Sequence, residues 1–158
     1  MCSSDLSLNL ASGSLGGAGG ISAGTANVTL TTGSGSLAPT GTVTGNVLTV
    51  RAPNASSLST NVTSLVANIT GNGQSLTITE TNGLTIGAGN VVTTNGSLTL
   101  NLTAGSINGT GRLNTGSGNV ILLTPAGNVT LTSAANQITA NTLTVVAFNS
   151  TEIGRAHV

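Results

Sequence analysis

Aliphatic residues alternate with Thr, Ser or Asn along most of the chain. Val28-Thr29-Leu30-Thr31, Leu48-Thr49-Val50-Arg51-Ala52 and Leu76-Thr77-Ile78-Thr79 show the pattern. Leu98-Thr99-Leu100-Asn101-Leu102, Val129-Thr130-Leu131-Thr132 and Leu143-Thr144-Val145 repeat it. Such a period of two places one parity on a buried face and predicts short β-strands. Between them stand Gly33-Ser34-Gly35, Asn72-Gly73, Asn82-Gly83, Asn95-Gly96 and Gly116-Ser117-Gly118, where Gly or Asn accepts a turn conformation cheaply. No segment carries a helical period, so the sequence reads as all-β.

A small-Asn-aliphatic triplet recurs at Ala26-Asn27-Val28, Gly45-Asn46-Val47, Ala67-Asn68-Ile69 and Gly89-Asn90-Val91, with Asn spacings of 19, 22 and 22. A loose repeat of this length is one coil of a parallel β-helix, and roughly 20 residues per coil is expected. Asn27, Asn46, Asn68 and Asn90 are the structural repeat positions this predicts. Stacked Asn at a corner can hydrogen-bond their own copies, so the abundance of Asn needs no ligand. A β-sandwich would need bulky side groups to fill a gap of about 10 Å, and only Phe148 is aromatic. A narrow solenoid fills with aliphatics alone, which favours the β-solenoid.

Composition then removes several functions. Of 158 residues only Asp5, Arg51, Glu80, Arg112, Glu152 and Arg155 carry a formal charge, and the net charge is zero. Nucleic-acid binding rests on clustered basic charge, so no nucleic-acid partner is expected. The longest apolar runs fall far short of the ~20 residues of a spanning helix, and a membrane barrel would carry aromatic girdles. No membrane insertion is expected. At 37% hydrophobic and without net charge, the protein does not have the composition of a disordered one.

The two ends differ from the interior and hold its only Cys, Met, His and Asp. They resemble translated sequencing-library adapters. The expected organisation is a non-native end at 1–6, a β-solenoid repeat fragment at 7–151 and a second non-native end at 152–158.

The stretches Thr60–Gly71, Ser75–Gly87 and Gly127–Ala134 resemble the repeat regions of filamentous-haemagglutinin-type adhesins. These are large bacterial exoproteins exported by two-partner secretion, or related autotransporter-like surface proteins. The resemblance spans Ile21 to Ser150. It implies a right-handed parallel β-helix, secreted or held at the outer surface of a Gram-negative bacterium. It implies adhesion, aggregation or display for the whole protein, with host-cell or cell-surface glycans or proteins as its partners and a translocator for export. The present sequence would be a stalk segment.

Candidate chemistry is sparse. General acid–base catalysis needs positioned titratable groups, and an activated Ser or Thr nucleophile needs a neighbouring base. Between residues 7 and 151 the only titratable acid is Glu80, expected on the solvated parity of its strand. Arg51 and Arg112 are expected to face outward and serve solubility. No enzyme activity, catalytic residue, cofactor or metal ligand is expected; a fragment of a β-helix carbohydrate-active enzyme is the weaker alternative, because such enzymes cluster Asp, Arg or Lys on one face. Nine Asn-x-Ser/Thr sequons, at Asn27, Asn54, Asn61, Asn68, Asn95, Asn101, Asn108, Asn128 and Asn149, follow largely from the alternation. Thr-x-Thr pairs at Thr29/Thr31, Thr42/Thr44, Thr77/Thr79, Thr130/Thr132 and Thr142/Thr144 resemble the ranks of ice-binding solenoids, an alternative function. Their starts lie 13, 35, 53 and 12 residues apart, which no single coil length fits.

Overall fold

The computed structural model describes residues 4–132, 137–149, 151–154 and the backbone of 156–157. Alternation becomes strand throughout, and the described residues contain no helix. The first strands are β1 (Leu6–Leu10), β2 (Ile21–Ser22), β3 (Val28–Thr32), β4 (Val43–Ala52) and β5 (Ser56–Ile69). Then come β6 (Leu76–Glu80), β7 (Leu84–Thr93), β8 (Leu98–Leu102), β9 (Ile107–Gly109) and β10 (Leu113–Asn114). The last are β11 (Val120–Thr124), β12 (Val129–Leu131), β13 (Ile138–Thr139), β14 (Leu143–Ala147), β15 (Thr151–Ile153) and β16 (Ala156–His157).

Every pairing between these strands is parallel and joins one coil to the next, so the protein is a β-solenoid of about six turns. Coils are typically 22 residues long, slightly more than the sequence repeat suggests; Leu6 pairs with Val28, Leu76 with Leu98, and Leu98 with Val120. Each coil has three faces. The first runs through β1, β3, the ends of β4, β5 and β7, then β10, β13 and β16. The second runs from the start of β5 through β6, β8, β11 and β14. The third takes β2, the starts of β4 and β7, the middle of β5, then β9, β12 and β15.

Coil length varies because the corners vary while the faces stay in register. The third coil is the shortest: Leu48 pairs with Leu65, 17 residues on, and β5 passes from the second face through the third to the first without a break. The next coil compensates. There β7 bulges, so that Leu65 pairs with Ile86 but Ala67 with Val91. This drift is why the Asn triplets keep only a loose period.

The core is a set of aliphatic columns. Leu30, Val50, Ala67, Val91, Leu113 and Ile138 stack along the first face, and Leu58, Ile78, Leu100 and Leu122 along the second. All of these are buried. Each Leu, Val and Ile among them contributes roughly 1.5–3 kcal/mol by leaving water, and neighbouring coils supply almost all of the contacts, as in other repeat architectures. Phe148, the lone aromatic, is 70% exposed and fills no part of this core. The ladder includes Leu6 at one end and Thr151–Ile153 and Ala156–His157 at the other, while Arg155 and Val158 lie outside the described residues.

Candidate functional site

Glu80 corrects the sequence expectation. It shares the parity of Leu76 and Ile78, points into the solenoid and is fully buried. Thr60, directly beneath it in register, donates its hydroxyl to Oε2 at 2.7 Å. The Val62 N–H donates at 3.1 Å, the Thr81 N–H at 2.9 Å and the Asn82 N–H at 3.3 Å. The cause lies in the unequal coils. Beneath Glu80, β5 runs straight around the corner, whereas the upper coil turns through Thr81, Asn82 and Gly83. The Thr81 N–H also reaches the Thr60 carbonyl at 3.0 Å, but the Val62 N–H is buried at that mismatch and the Asn82 N–H half-buried, and an unpaired buried donor costs about 1–3 kcal/mol. The carboxylate supplies the missing acceptors. Alternation counted from the neighbouring Thr residues hides this; counted from Leu76 and Ile78, it places Glu80 inside.

Arg51 and Arg112 are exposed, as expected; Arg51 lies on the first face and Arg112 immediately precedes β10 of that face. A shallow groove of about 140 Å³ opens beside Arg51, lined also by Thr49, Val66, Asn68, Asn90 and Val92. The β7 bulge forms its far wall: Asn90 has φ 59° and its Oδ1 accepts the Arg112 N–H at 2.8 Å. Among the described residues no three His, Cys, Asp or Glu residues gather as a metal centre would require.

The four repeat Asn residues do not form one column. Asn27 accepts the Val47 N–H at 3.3 Å through its Oδ1, and the Asn46 N–H donates to the Ala26 carbonyl at 2.8 Å, so these two lie one coil apart at the same corner. Asn68 instead pairs in register with Arg51 and Val92, on the flat of the first face, while Asn90 sits in the bulge. Paired Asn amides do form elsewhere. Asn82 donates to Asn61 at 2.6 Å, Asn95 to Asn72 at 2.8 Å and Asn141 to Asn119 at 3.3 Å. The Thr-x-Thr pairs are spread over all three faces: Thr29/Thr31 on the first, Thr77/Thr79 on the second, Thr130 on the third. Above Thr77 and Thr79 stand Thr99 and Asn101, then Ile121 and Leu123.

The most regular device in the molecule is a corner that the sequence displays as Thr-x-x-Gly. Seven such spacings stand in the sequence, and four of them, Thr32–Gly35, Thr93–Gly96, Thr115–Gly118 and Thr124–Gly127, close the corner with a Thr–Gly hydrogen bond. Each of these four Thr residues ends a run of inward residues and is buried. Thr93, Thr115 and Thr124 donate their hydroxyls to the carbonyl of the Gly three residues on, and Thr32 accepts the Gly35 N–H at 3.1 Å. The hydroxyl thereby satisfies a backbone group where the strand ladder is interrupted. Sequence inspection for Asn repeats and Thr-x-Thr pairs passes over this motif, although its fixed three-residue offset is visible in the sequence. Thr115→Val, which keeps the shape and deletes the hydroxyl, is expected to cost about 1–2 kcal/mol. Urea unfolding followed by circular dichroism checks this, and a Thr115→Ser variant should recover most of the loss.

No protein-family model, no curated protein and no solved structure matches this sequence.

Proposed function

We propose that this protein is a structural stalk segment of a large secreted or surface-exposed bacterial adhesin, acting as a spacer and display shaft. The observation that carries the reading is the parallel ladder, in which aliphatic columns pass from coil to coil along one axis beneath a Thr, Ser and Asn exterior. Such a body transmits load and sets distance through backbone hydrogen bonds repeated coil after coil. An exterior with so few charges gives little long-range electrostatic steering, which suits a shaft better than a capture surface. The resemblance of its repeats to filamentous-haemagglutinin-type proteins supports placement outside a Gram-negative cell, delivered by a translocator.

Antibody raised against the protein tests the location. It should label intact producing cells or recover the protein from their medium; detection only in the cytosolic fraction would sink the reading. The spacer role is tested in the producing strain by exchanging this segment for unrelated solenoid coils of equal length. Adhesion should survive the exchange and fall on deletion. Loss of adhesion in both variants would assign receptor contact to this segment instead.

A further inference from the structure

Four Asn-Gly pairs occur, at Asn72-Gly73, Asn82-Gly83, Asn95-Gly96 and Asn108-Gly109. In any Asn-Gly pair, the glycine backbone nitrogen can attack the amide carbonyl carbon (Cγ) of the asparagine, because glycine has no Cβ to block the approach. A new N–Cγ bond forms, the Cγ–Nδ2 bond breaks and ammonia leaves, giving a five-membered succinimide. Water then opens the ring at either carbonyl, yielding aspartate or isoaspartate. No oxidant or cofactor enters the balance.

The fold treats the four pairs differently. The Gly73 N–H is committed to the Thr94 carbonyl at 2.8 Å. Asn95 is held by its donation to Asn72 and by the Ser117 N–H on its Oδ1 at 3.2 Å, and Gly96 is buried beneath the next coil. Asn108 and Gly109 lie inside β9, laddered to β7 below and β12 above. At the remaining pair, Asn82 and Gly83 are both exposed, and the Gly83 N–H makes no hydrogen bond among the described residues. The Asn82 amide group has one hydrogen bond there, to Asn61 across the exposed corner.

We propose that Asn82-Gly83 is a self-modification site at which the folded protein converts Asn82 to aspartate and isoaspartate faster than at its other Asn-Gly pairs. The position gives the conversion a consequence. The Asn82 N–H is one of the donors holding Glu80, so an isoaspartyl linkage, with one extra backbone carbon, displaces a donor of the buried socket. A new carboxylate two residues from Glu80 also adds like charge there. Spontaneous ageing of the corner therefore loosens the solenoid at its most irregular coil.

The test is to incubate the full-length protein, native and in denaturant, at mildly alkaline pH and to quantify aspartate and isoaspartate at all four positions by peptide mapping. Hydrogen-bonded and buried pairs react only after local opening. They should therefore slow by about tenfold or more on folding, while Asn82 keeps a rate close to its denatured one. Gly83→Ala is the control: a Cβ there meets only Ser106 backbone atoms at 3.4 and 3.5 Å, an ordinary contact, so the variant folds. It should suppress conversion at residue 82 alone. Equal native rates at the four pairs, or faster conversion at Asn72, Asn95 or Asn108, would overturn the proposal. So would conversion at Asn82 that proceeds undiminished in Gly83→Ala.

Discussion

Glu80→Leu is expected to destabilise the protein by about 3 kcal/mol, which lowers the thermal midpoint by roughly 6–12 °C for a protein of this size. Two effects oppose each other at this site. Removing a buried charge recovers its desolvation cost, and exchange of a buried ion pair for packed apolar groups is often neutral or favourable. Leu is also the residue directly above, since Leu102 pairs in register with Glu80, so its volume suits the column. The recovery succeeds elsewhere because both charged partners are replaced together. Here the partners are the backbone N–H groups of Val62, Thr81 and Asn82, which no ordinary substitution removes; only Thr81 has a second acceptor, the Thr60 carbonyl at 3.0 Å. The buried Val62 N–H left unpaired costs about 1–3 kcal/mol, the half-buried Asn82 N–H adds less, and the Thr60 hydroxyl loses its 2.7 Å acceptor as well. The unpaired donors decide the sign. Glu80→Gln keeps one acceptor oxygen and should fall between, at about 1–2 kcal/mol. Thermal unfolding of the three proteins by circular dichroism ranks them. A leucine variant as stable as the parent would show that the corner relaxes and needs no acceptor.

That one residue shows where the sequence was legible and where it was not. Strand class, parallel stacking and the aliphatic columns follow from local alternation, because a period of two assigns an inside and an outside without knowledge of the partner strand. Leu76, Ile78, Leu98 and Leu100 are inside as their spacing demands. The outward placement of Arg51 follows from the same counting. Register between coils is a different kind of information. Asn27, Asn46, Asn68 and Asn90 keep similar spacings along the sequence but fall at different points of the coil, because β5 omits a corner and β7 adds a bulge. Neither event has a local signature as strong as alternation. The Glu80 socket arises from the mismatch of those two coils, so it appears only once they are superposed. The Thr-x-x-Gly corners are the opposite case: each is contained within four consecutive residues, and three of the four continue a strand of alternating burial.

Those corners also set how closely coils approach, and Gly96→Ala should cost more than about 3 kcal/mol, the upper range for overpacking a core. Gly96 stands over the backbone of Gln74, and a Cβ there would overlap the Gln74 carbonyl oxygen. The same relation holds for Gly118 over Gly96 and for Gly127 over Gly105. A crowded rotamer can swing away, but a main-chain carbonyl moves only with its coil. The upper coil must lift, and lifting strains the flanking bonds from Gly73 N–H to the Thr94 carbonyl at 2.8 Å and from Leu76 N–H to the Ser97 carbonyl at 2.9 Å. Gly→Ala ordinarily stabilises by about 0.4–1 kcal/mol through the unfolded state where the conformation permits it. That gain is smaller than the clash at Gly96, whereas at Gly83 nothing opposes it. The two substitutions should therefore change stability in opposite directions, although both replace a glycine at a solenoid corner and both follow an asparagine. Urea unfolding of Gly96→Ala and Gly83→Ala beside the parent measures the difference. Equal stability of the two variants would mean that the corner spacing yields freely, and that the aliphatic columns alone hold the coils in register.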